Sequence, residues 1–327
     1  RQEHNHQSRA VGALQALADP RSPGALLDRV DDDPEKTANA GMLLEASVTF
    51  SDASVAPRLM AMIDGDQHRS AAFQALHELT GYNQYAWVDD EDVTPKWEES
   101  LSPRYPEIFA DLLDLAYRIG GSDLLSPLIG QAKWPEANDD IDRVLSALLS
   151  FSDDNIRHRA VEMTGWRLRH RGGPADGLKK ALEGRDPLDQ FYAAEGLALS
   201  GHADGLAVLR TAVDAMDDWS LRERAVLAIG VLADPSTVDM LLTIANDAAH
   251  GLRSQAIEAI GHMSQSERAD EVFETLKRTV QNFSYDTIEN ALSGLRWFAS
   301  PGAWALLREQ AMNDNWWVAN KAVEVLR

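Results

Sequence analysis

A motif of about ten residues recurs along this chain at a spacing near 32 residues, and this repeat constrains the fold more than any other feature. Each copy reads large residue–Arg–x–x–Ala, followed by apolar residues at helical spacing. The clearest copies are HRSAAFQALH from His68, IRHRAVEMTG from Ile156, LRERAVLAIG from Leu221 and LRSQAIEAIG from Leu252. The chain is therefore predicted to be an array of similar helical units.

The alanine of the motif, called the anchor alanine below, defines the period. Successive anchors are 30 and 32 residues apart in the N-terminal part and 31 to 35 residues apart in the later part. They are Ala10, Ala40, Ala72, Ala160, Ala193, Ala225, Ala256, Ala291 and Ala322. Alanine or glycine also follows one turn after several anchors, and such small residues are predicted to let adjacent helices approach closely.

Each period contains two helical patterns separated by a break. After the anchor Ala225, the pair Asp234-Pro235 ends the first helix, because proline cannot continue a helix interior but starts a new helix well. The second helix follows from Val238. The predicted pairs are 8–18/22–30, 36–48/53–63, 67–80/106–119, 122–132/138–150, 153–170/174–183, 187–199/203–216, 218–232/235–247, 249–263/267–282 and 284–298/301–312, with a lone helix at 314–327.

No window alternates apolar and polar residues between turn signals, so no sheet is predicted. The fold class is an all-α solenoid, a superhelix of about nine helix pairs plus a terminal half-repeat. A single solenoid is expected over 1–327, with one insertion at 81–106. The second helices of the pairs are expected to line its concave face.

The motif, its period and the Asp-Pro breaks resemble HEAT-like repeats of the phycobilisome-lyase type over most of the chain. This resemblance implies a stacked α-solenoid that serves as a binding scaffold, because members of the class share their stacking and differ in partner. HEAT-like deoxyhypusine hydroxylases use repeated His-Glu pairs as metal ligands, and this chain has one such pair, His77-Glu78. Bilin-lyase activity stays open, although no residue here matches a catalytic role.

Composition excludes several classes of function. The 327 residues contain no cysteine, which removes disulfides, zinc fingers, iron–sulfur ligation and thiol catalysis. With 31 basic and 52 acidic residues the net charge is −21, which argues against nucleic acid and anionic lipid as partners and favours a basic one. No apolar run is long enough to span a bilayer. No H-E-x-x-H, Walker A or G-x-S-x-G motif occurs, so we predict that the protein is not an enzyme and binds no metal or cofactor. A cytoplasmic location is expected only from the class of protein that the repeats resemble.

The insertion at 81–106 combines aromatic and acidic residues. Insertions in solenoids often bind partners, and tryptophan and tyrosine dominate interface hot spots. The partner-binding candidates there are Tyr82, Tyr85, Trp87 and Trp97. The alternative is a structural cover over the neighbouring repeats, in which case deletion of 83–104 lowers the melting temperature.

Two sets of arginines stand out. The segment 153–185 is the only one with a positive net charge. Within it, Arg167, Arg169 and Arg171 are candidates for an anion-binding site. The alternative is that their positive charges stabilise the negative end of the helix dipole at a helix C-terminus. The motif arginines, Arg69, Arg157, Arg222 and Arg253, are expected to pair with turn carboxylates such as Asp66, Asp153 and Asp218 in a structural ladder.

Aromatic residues concentrate near the C-terminal end of the chain. Trp316 lies six residues before its anchor, as Trp219 does, so Trp316 is expected to seal a turn between repeats. Trp317 and Val323 are then left to meet a partner, a further domain or a second copy. The leading interpretation is a non-enzymatic scaffold for a basic protein or peptide. The alternatives are a bilin-lyase-like or other small-ligand-handling protein, and an acidic inhibitor that mimics nucleic acid.

Overall fold

The computed structural model describes residues 22–31, 40–48, 52–66, 68–80, 105–132, 139–282 and 285–327. Every regular element within these ranges is a helix, which confirms the all-α prediction. The α-helices are α1 (Ser22–Asp31), α2 (Ala40–Val48), α3 (Ala56–Asp64), α4 (Arg69–Leu79), α5 (Pro106–Ile119), α6 (Ser122–Ile129), α7 (Asp139–Leu148), α8 (Asp154–Arg171), α9 (Asp176–Leu182), α10 (Pro187–Leu199), α11 (Leu206–Ala215), α12 (Trp219–Leu232), α13 (Val238–Asn246), α14 (Arg253–Gly261), α15 (Ala269–Asn282), α16 (Tyr285–Leu295), α17 (Pro301–Gln310) and α18 (Trp316–Leu326). No described helix is long and apolar enough to cross a bilayer.

The chain divides into two compact units, Arg1–Thr164 and Gly165–Arg327. Each unit is a stack of paired helices around its own hydrophobic core. Phe109 and Leu112 are fully buried in the first unit, and Phe191 and Ile229 are fully buried in the second. The expectation of one solenoid over 1–327 stays a prediction.

The breaks between helices have the residues that the sequence pattern indicated. The Asp234 side chain accepts a hydrogen bond from the backbone N–H of Ser236, and Pro235 occupies the first position of a short 3-10 turn that leads into α13. Asp186 caps α10 in the same way, by accepting from the N–H groups of Leu188 and Asp189. These side chains satisfy backbone donors that a helix start leaves without a partner.

First helices of successive pairs in the second unit pack directly on one another through small residues. A Cβ atom added to Gly196 would lie 2.5 Å from the Cα of Gly165, and one added to Gly261 would lie 2.4 Å from the Cα of Gly294. Only glycine allows backbones this close. The predicted close approach of helices is therefore confirmed.

The second helices of the same unit are farther apart, and α13 and α15 meet only marginally. A stack of helices curves toward the side on which its members are closest. The first helices α10, α12, α14, α16 and α18 therefore lie on the inner side of this unit. The expectation that the second helices line the concave face is wrong for this unit, because the smallest residues lie between the first helices.

The four motif arginines share one structural task. Each guanidinium donates to a backbone carbonyl at or just beyond the end of the preceding helix, namely Arg69 to Ile63, Arg157 to Phe151, Arg222 to Asp214 and Arg253 to Ala245. The last carbonyls of a helix lack an N–H partner in a following turn, which the arginine supplies. The motif arginine is thus a C-terminal cap for the helix before it.

The expected carboxylate ladder is only partly present. Arg69 does pair with Asp66, at 3.2 Å. Arg157, however, pairs with Asp154 at 2.7 Å, while the Asp153 carboxylate caps the start of α8 through the N–H groups of Asn155 and Ile156. Asp218 likewise caps α12 through Ser220. These aspartates stabilise helix starts, which the backbone donors there require.

Candidate binding surface

The predicted partner-binding residues in the insertion, Tyr82, Tyr85, Trp87 and Trp97, lie outside the described residues. Their role, and the alternative of a structural cover, stay predictions. The other candidates, Trp317 and the three arginines of α8, lie within the described part of the chain.

The arginine triplet does not share one surface. Arg167 is buried, with 3% of its surface exposed, whereas Arg169 is exposed and Arg171 is partly exposed. Successive helical residues point about 100° apart, so alternate residues face nearly opposite directions. Arg169 therefore faces away from Arg167 and Arg171, and the anion-binding site of the three arginines stays a prediction. Beside them His170 stacks on Trp166, with ring centroids 4.0 Å apart.

The two adjacent tryptophans of α18 differ in exposure. Trp317 is partly buried and packs against the core of the second unit, whereas Trp316 is 71% exposed. The equivalent Trp219 covers the following turn, since a Cβ atom on Gly251 would lie 2.3 Å from its ring. No described residue covers Trp316 in this way, and its assignment as a turn-sealing residue stays a prediction.

Polar side chains form a row along the inner first helices, within two residues of the anchor alanines. We call this set the inner row; it consists of Glu195, Glu223, Arg224, Gln255, Glu258, Glu289, Lys321 and Glu324. Since the anchor alanines are buried between helices, their neighbours lie at the edge of the core; most are partly exposed, Glu195 is buried and Glu324 is exposed. The inner row was not recognised in the sequence, although alignment of the repeats on their anchors shows its positions.

One end of the inner row is neutralised. The Arg224 guanidinium donates two hydrogen bonds to the nearly buried Glu195 carboxylate, with Nε 2.7 Å from Oε1, and it lies 5.3 Å from the ring centroid of Tyr192. A two-point contact of this kind fixes both side chains. Glu195 and Arg224 therefore form a structural pair.

The other end is neutralised as well. Lys321 Nζ lies 3.0 Å from a carboxylate oxygen of Glu324 and 3.7 Å from one of Glu289, and Arg296 lies 3.6 Å from Glu324. Charges on α16 and α18 thus balance one another across adjacent repeats.

The middle of the inner row differs, because its two carboxylates form no ion pair. Glu223 accepts hydrogen bonds from the Trp219 indole N–H at 3.1 Å and from the Gln255 amide at 2.8 Å, both neutral donors. Among the described residues, no lysine or arginine nitrogen lies within 4 Å of the Glu223 or Glu258 carboxylate. Burial raises the pKa of Glu258; Lys321 and Arg296 lower it and Glu289 raises it further.

An aromatic surface adjoins Glu258. His262 lies one helical turn after it, and its ring stacks on Trp297 with centroids 4.2 Å apart. Trp297 is 48% exposed. Burial lowers the pKa of His262, and the positive charge of Arg169 lowers it further, so the imidazole is neutral at pH 7. The middle of the inner row therefore offers two carboxylates that have no cationic partner and an exposed indole ring.

A comparison with protein-family models agrees with the repeat architecture. Residues 175–261 match the family profile for HEAT repeats, a range that contains α10, α12 and α14. Residues 175–261 therefore contain HEAT repeats, as the resemblance implied. A search of curated proteins finds no significant match.

Among solved structures, the complex of CpcE and CpcF of phycocyanin lyase from Nostoc sp. PCC7120 is similar at 17% identity and a TM-score of 0.46. The alignment covers 75% of this chain and 91% of that chain.

Proposed function

We propose that this protein is a non-enzymatic HEAT-repeat scaffold that binds a basic segment of a partner protein on the inner row of its second unit. A single observation supports the proposal. Among the residues that the structure describes, Glu223 and Glu258 have no ion-pair partner, whereas Glu195, Glu289 and Glu324 in the same row all have one. A half-buried carboxylate without a counterion carries a desolvation cost that an incoming cation offsets.

The neighbouring indole ring suits the same ligand. Arginine and lysine bind to the faces of tryptophan rings, and a guanidinium can contact a carboxylate and a ring at once. Trp297 is half-exposed beside His262 and so presents part of its ring to a ligand. Within the second unit a guanidinium already lies over an indole, with Arg222 5.6 Å from the Trp219 ring centroid.

The spacing of the two carboxylates indicates the form of the ligand. Glu223 and Glu258 lie on the adjacent helices α12 and α14, and packed helices are about 8–10 Å apart. An extended chain advances about 3.3 Å per residue, so side chains two positions apart are separated by about 7 Å on one face. We propose an extended segment with basic residues at alternate positions, whose long side chains reach the two carboxylates.

The net charge of −21 supports the same class of partner, since it attracts basic proteins and repels nucleic acid and anionic membranes. We place this activity in the cytoplasm on class grounds.

A fluorescence-anisotropy titration tests the proposal with the full chain. The probe is a labelled extended peptide with arginine at alternate positions, and the comparison peptide has the same composition with its arginines adjacent. The double variant Glu223→Gln, Glu258→Gln is expected to weaken binding of the alternating peptide about tenfold, which is the order of one charge-assisted contact.

The matched control is Glu309→Gln, Asp314→Asn, which removes two exposed acids from elsewhere in the same unit. This variant changes the net charge equally and should bind like the parent. If both double variants weaken binding to the same extent, only net charge attracts the peptide and the inner row is not the site. A visible absorbance band in the purified protein would instead favour the alternative of a chromophore-handling protein.

A further inference from the structure

A second row of side chains runs along the first helices of the second unit, beside the inner row. Its members lie six residues after the anchor alanines of five consecutive repeats. We call this set the inner ledge; it consists of Trp166, Leu199, Val231, His262 and Trp297. Four of these side chains are aliphatic or aromatic, and the fifth is the imidazole whose pKa burial lowers. The inner ledge is thus an uncharged strip beside the charged inner row.

Helix geometry places the inner ledge on the same face as the inner row. Seven residues make almost two full turns, so Val231 lies on the same side of α12 as Arg224, about 10 Å farther along the helix axis. On α14 the offset is about 6 Å, because His262 follows Glu258 by one turn. The two rows therefore run in parallel on the inner side of the unit, one or two helical turns apart.

The side chains of the inner ledge are accessible to a ligand. Trp297 is 48% exposed, and the other four are partly exposed. On α12 the neighbouring Ala228 and Ile229 are almost fully buried, so the change to a partly exposed side chain at Val231 marks the edge of the core. An apolar strip that stays in contact with water gains free energy when a ligand covers it.

We propose that the inner ledge determines which basic segments bind, by contacting apolar side chains that alternate with the basic ones. This inference rests on the proposed function, in which the carboxylates of Glu223 and Glu258 attract the cationic side chains. Successive side chains of an extended chain point in opposite directions. A segment that crosses the first helices between the two rows therefore directs its basic residues toward the carboxylates and the intervening residues toward Leu199 and Val231. The ligand is an extended segment of a partner protein in which basic and apolar residues alternate.

Fluorescence anisotropy with the full chain tests the inference with two labelled peptides, one alternating arginine with leucine and the other alternating arginine with serine. The leucine peptide is expected to bind about tenfold more tightly, because the inner ledge removes part of its apolar surface from water. Val231→Ser should weaken binding of the leucine peptide about threefold and leave the serine peptide unchanged. Glu223→Gln, Glu258→Gln should weaken both peptides by the same factor, so that the ratio of their affinities is kept.

The matched control is Val323→Ser, which makes the same change at an exposed valine of α18 outside the inner ledge and should bind both peptides like the parent. Val231→Thr keeps the shape of the side chain and repeats the comparison if Val231→Ser melts at the assay temperature.

The inference is overturned if the parent binds the two peptides equally, or if Val231→Ser and Val323→Ser weaken the leucine peptide to the same extent. In either case the proposed function stands as long as binding of the serine peptide depends on Glu223 and Glu258. If neither peptide binds, the proposed function fails, and the role of the inner ledge fails with it.

Discussion

The contact between Gly261 and Gly294 gives a sharp test of how the second unit is held together. A Cβ atom at position 261 would lie 2.4 Å from the Gly294 Cα and 2.5 Å from its carbonyl oxygen, whereas ordinary contacts are 3.4 Å or longer. Gly261→Ala therefore forces α14 and α16 apart by about 1 Å, which weakens dispersion contacts along the whole interface.

Two opposing effects set the size of the change. Alanine gains about 1 kcal/mol over glycine in a helix, while overpacking a tight core costs about 1–3 kcal/mol and more where backbone must move. Because the obstacle here is backbone, we expect a net loss of about 1–2 kcal/mol. For a unit of this size, that loss corresponds to a fall in melting temperature of roughly 2–8 °C.

Differential scanning calorimetry and urea unfolding of the full chain measure the effect. Gly24→Ala is the control, because a Cβ atom added to this helical glycine would have no neighbour within 4 Å, and the substitution should stabilise slightly or leave stability unchanged. If Gly261→Ala proves as stable as the parent, the interface adapts easily and close glycine contacts are not what holds the first helices together.

Particular contacts in the second unit give three more predictions. Arg224→Ala leaves the nearly buried Glu195 without its partner and should cost about 3 kcal/mol of unfolding free energy, with part of that loss recovered in Glu195→Ala, Arg224→Ala. The pKa of Glu258 is raised in the folded state, so at pH values above the ordinary carboxyl pKa of 4.5 the folded protein binds more protons than the unfolded one, and the free energy of unfolding decreases as pH rises. Glu258→Gln should make this part of the stability–pH curve flatter. An unchanged slope would contradict the assignment. Trp316 and Val323 are exposed on α18, so sedimentation velocity should show concentration-dependent association of the parent and a monomer for Trp316→Glu, Val323→Glu; a parent that stays monomeric at high concentration would refute the idea that this surface self-associates.

Much of the fold could be predicted from the spacing of small and apolar residues. The predicted pair 187–199/203–216 corresponds to α10 and α11, and the predicted helix at 106–119 coincides with α5. The period and the Asp-Pro breaks are local signals, and helix bounds depend mainly on local caps and breaks. The curvature of the second unit could also be predicted from the sequence, because the small residues that let helices approach belong to the first helix of each pair.

The candidate surface was harder to predict because its character depends on facing repeats. Whether a glutamate next to an anchor is neutralised depends on the residue that the adjacent helix presents to it, which is Arg224 for Glu195 and Gln255 for Glu223. The burial of Trp316 likewise depends on what covers it. Such properties belong to pairs of repeats, whereas the motif describes one repeat at a time.

The arginine caps also bear on how such a chain can grow by duplication. The last carbonyls of a second helix accept hydrogen bonds from an arginine of the next pair, as the Ala245 carbonyl does from Arg253. A copied segment that starts at an arginine and stops at the end of the second helix thus carries one cap toward its predecessor and leaves its own final carbonyls open. A duplicated segment that runs from the start of a second helix to the following arginine contains the cap for its own helix end. Its boundaries are shifted by half a repeat relative to the helix pairs.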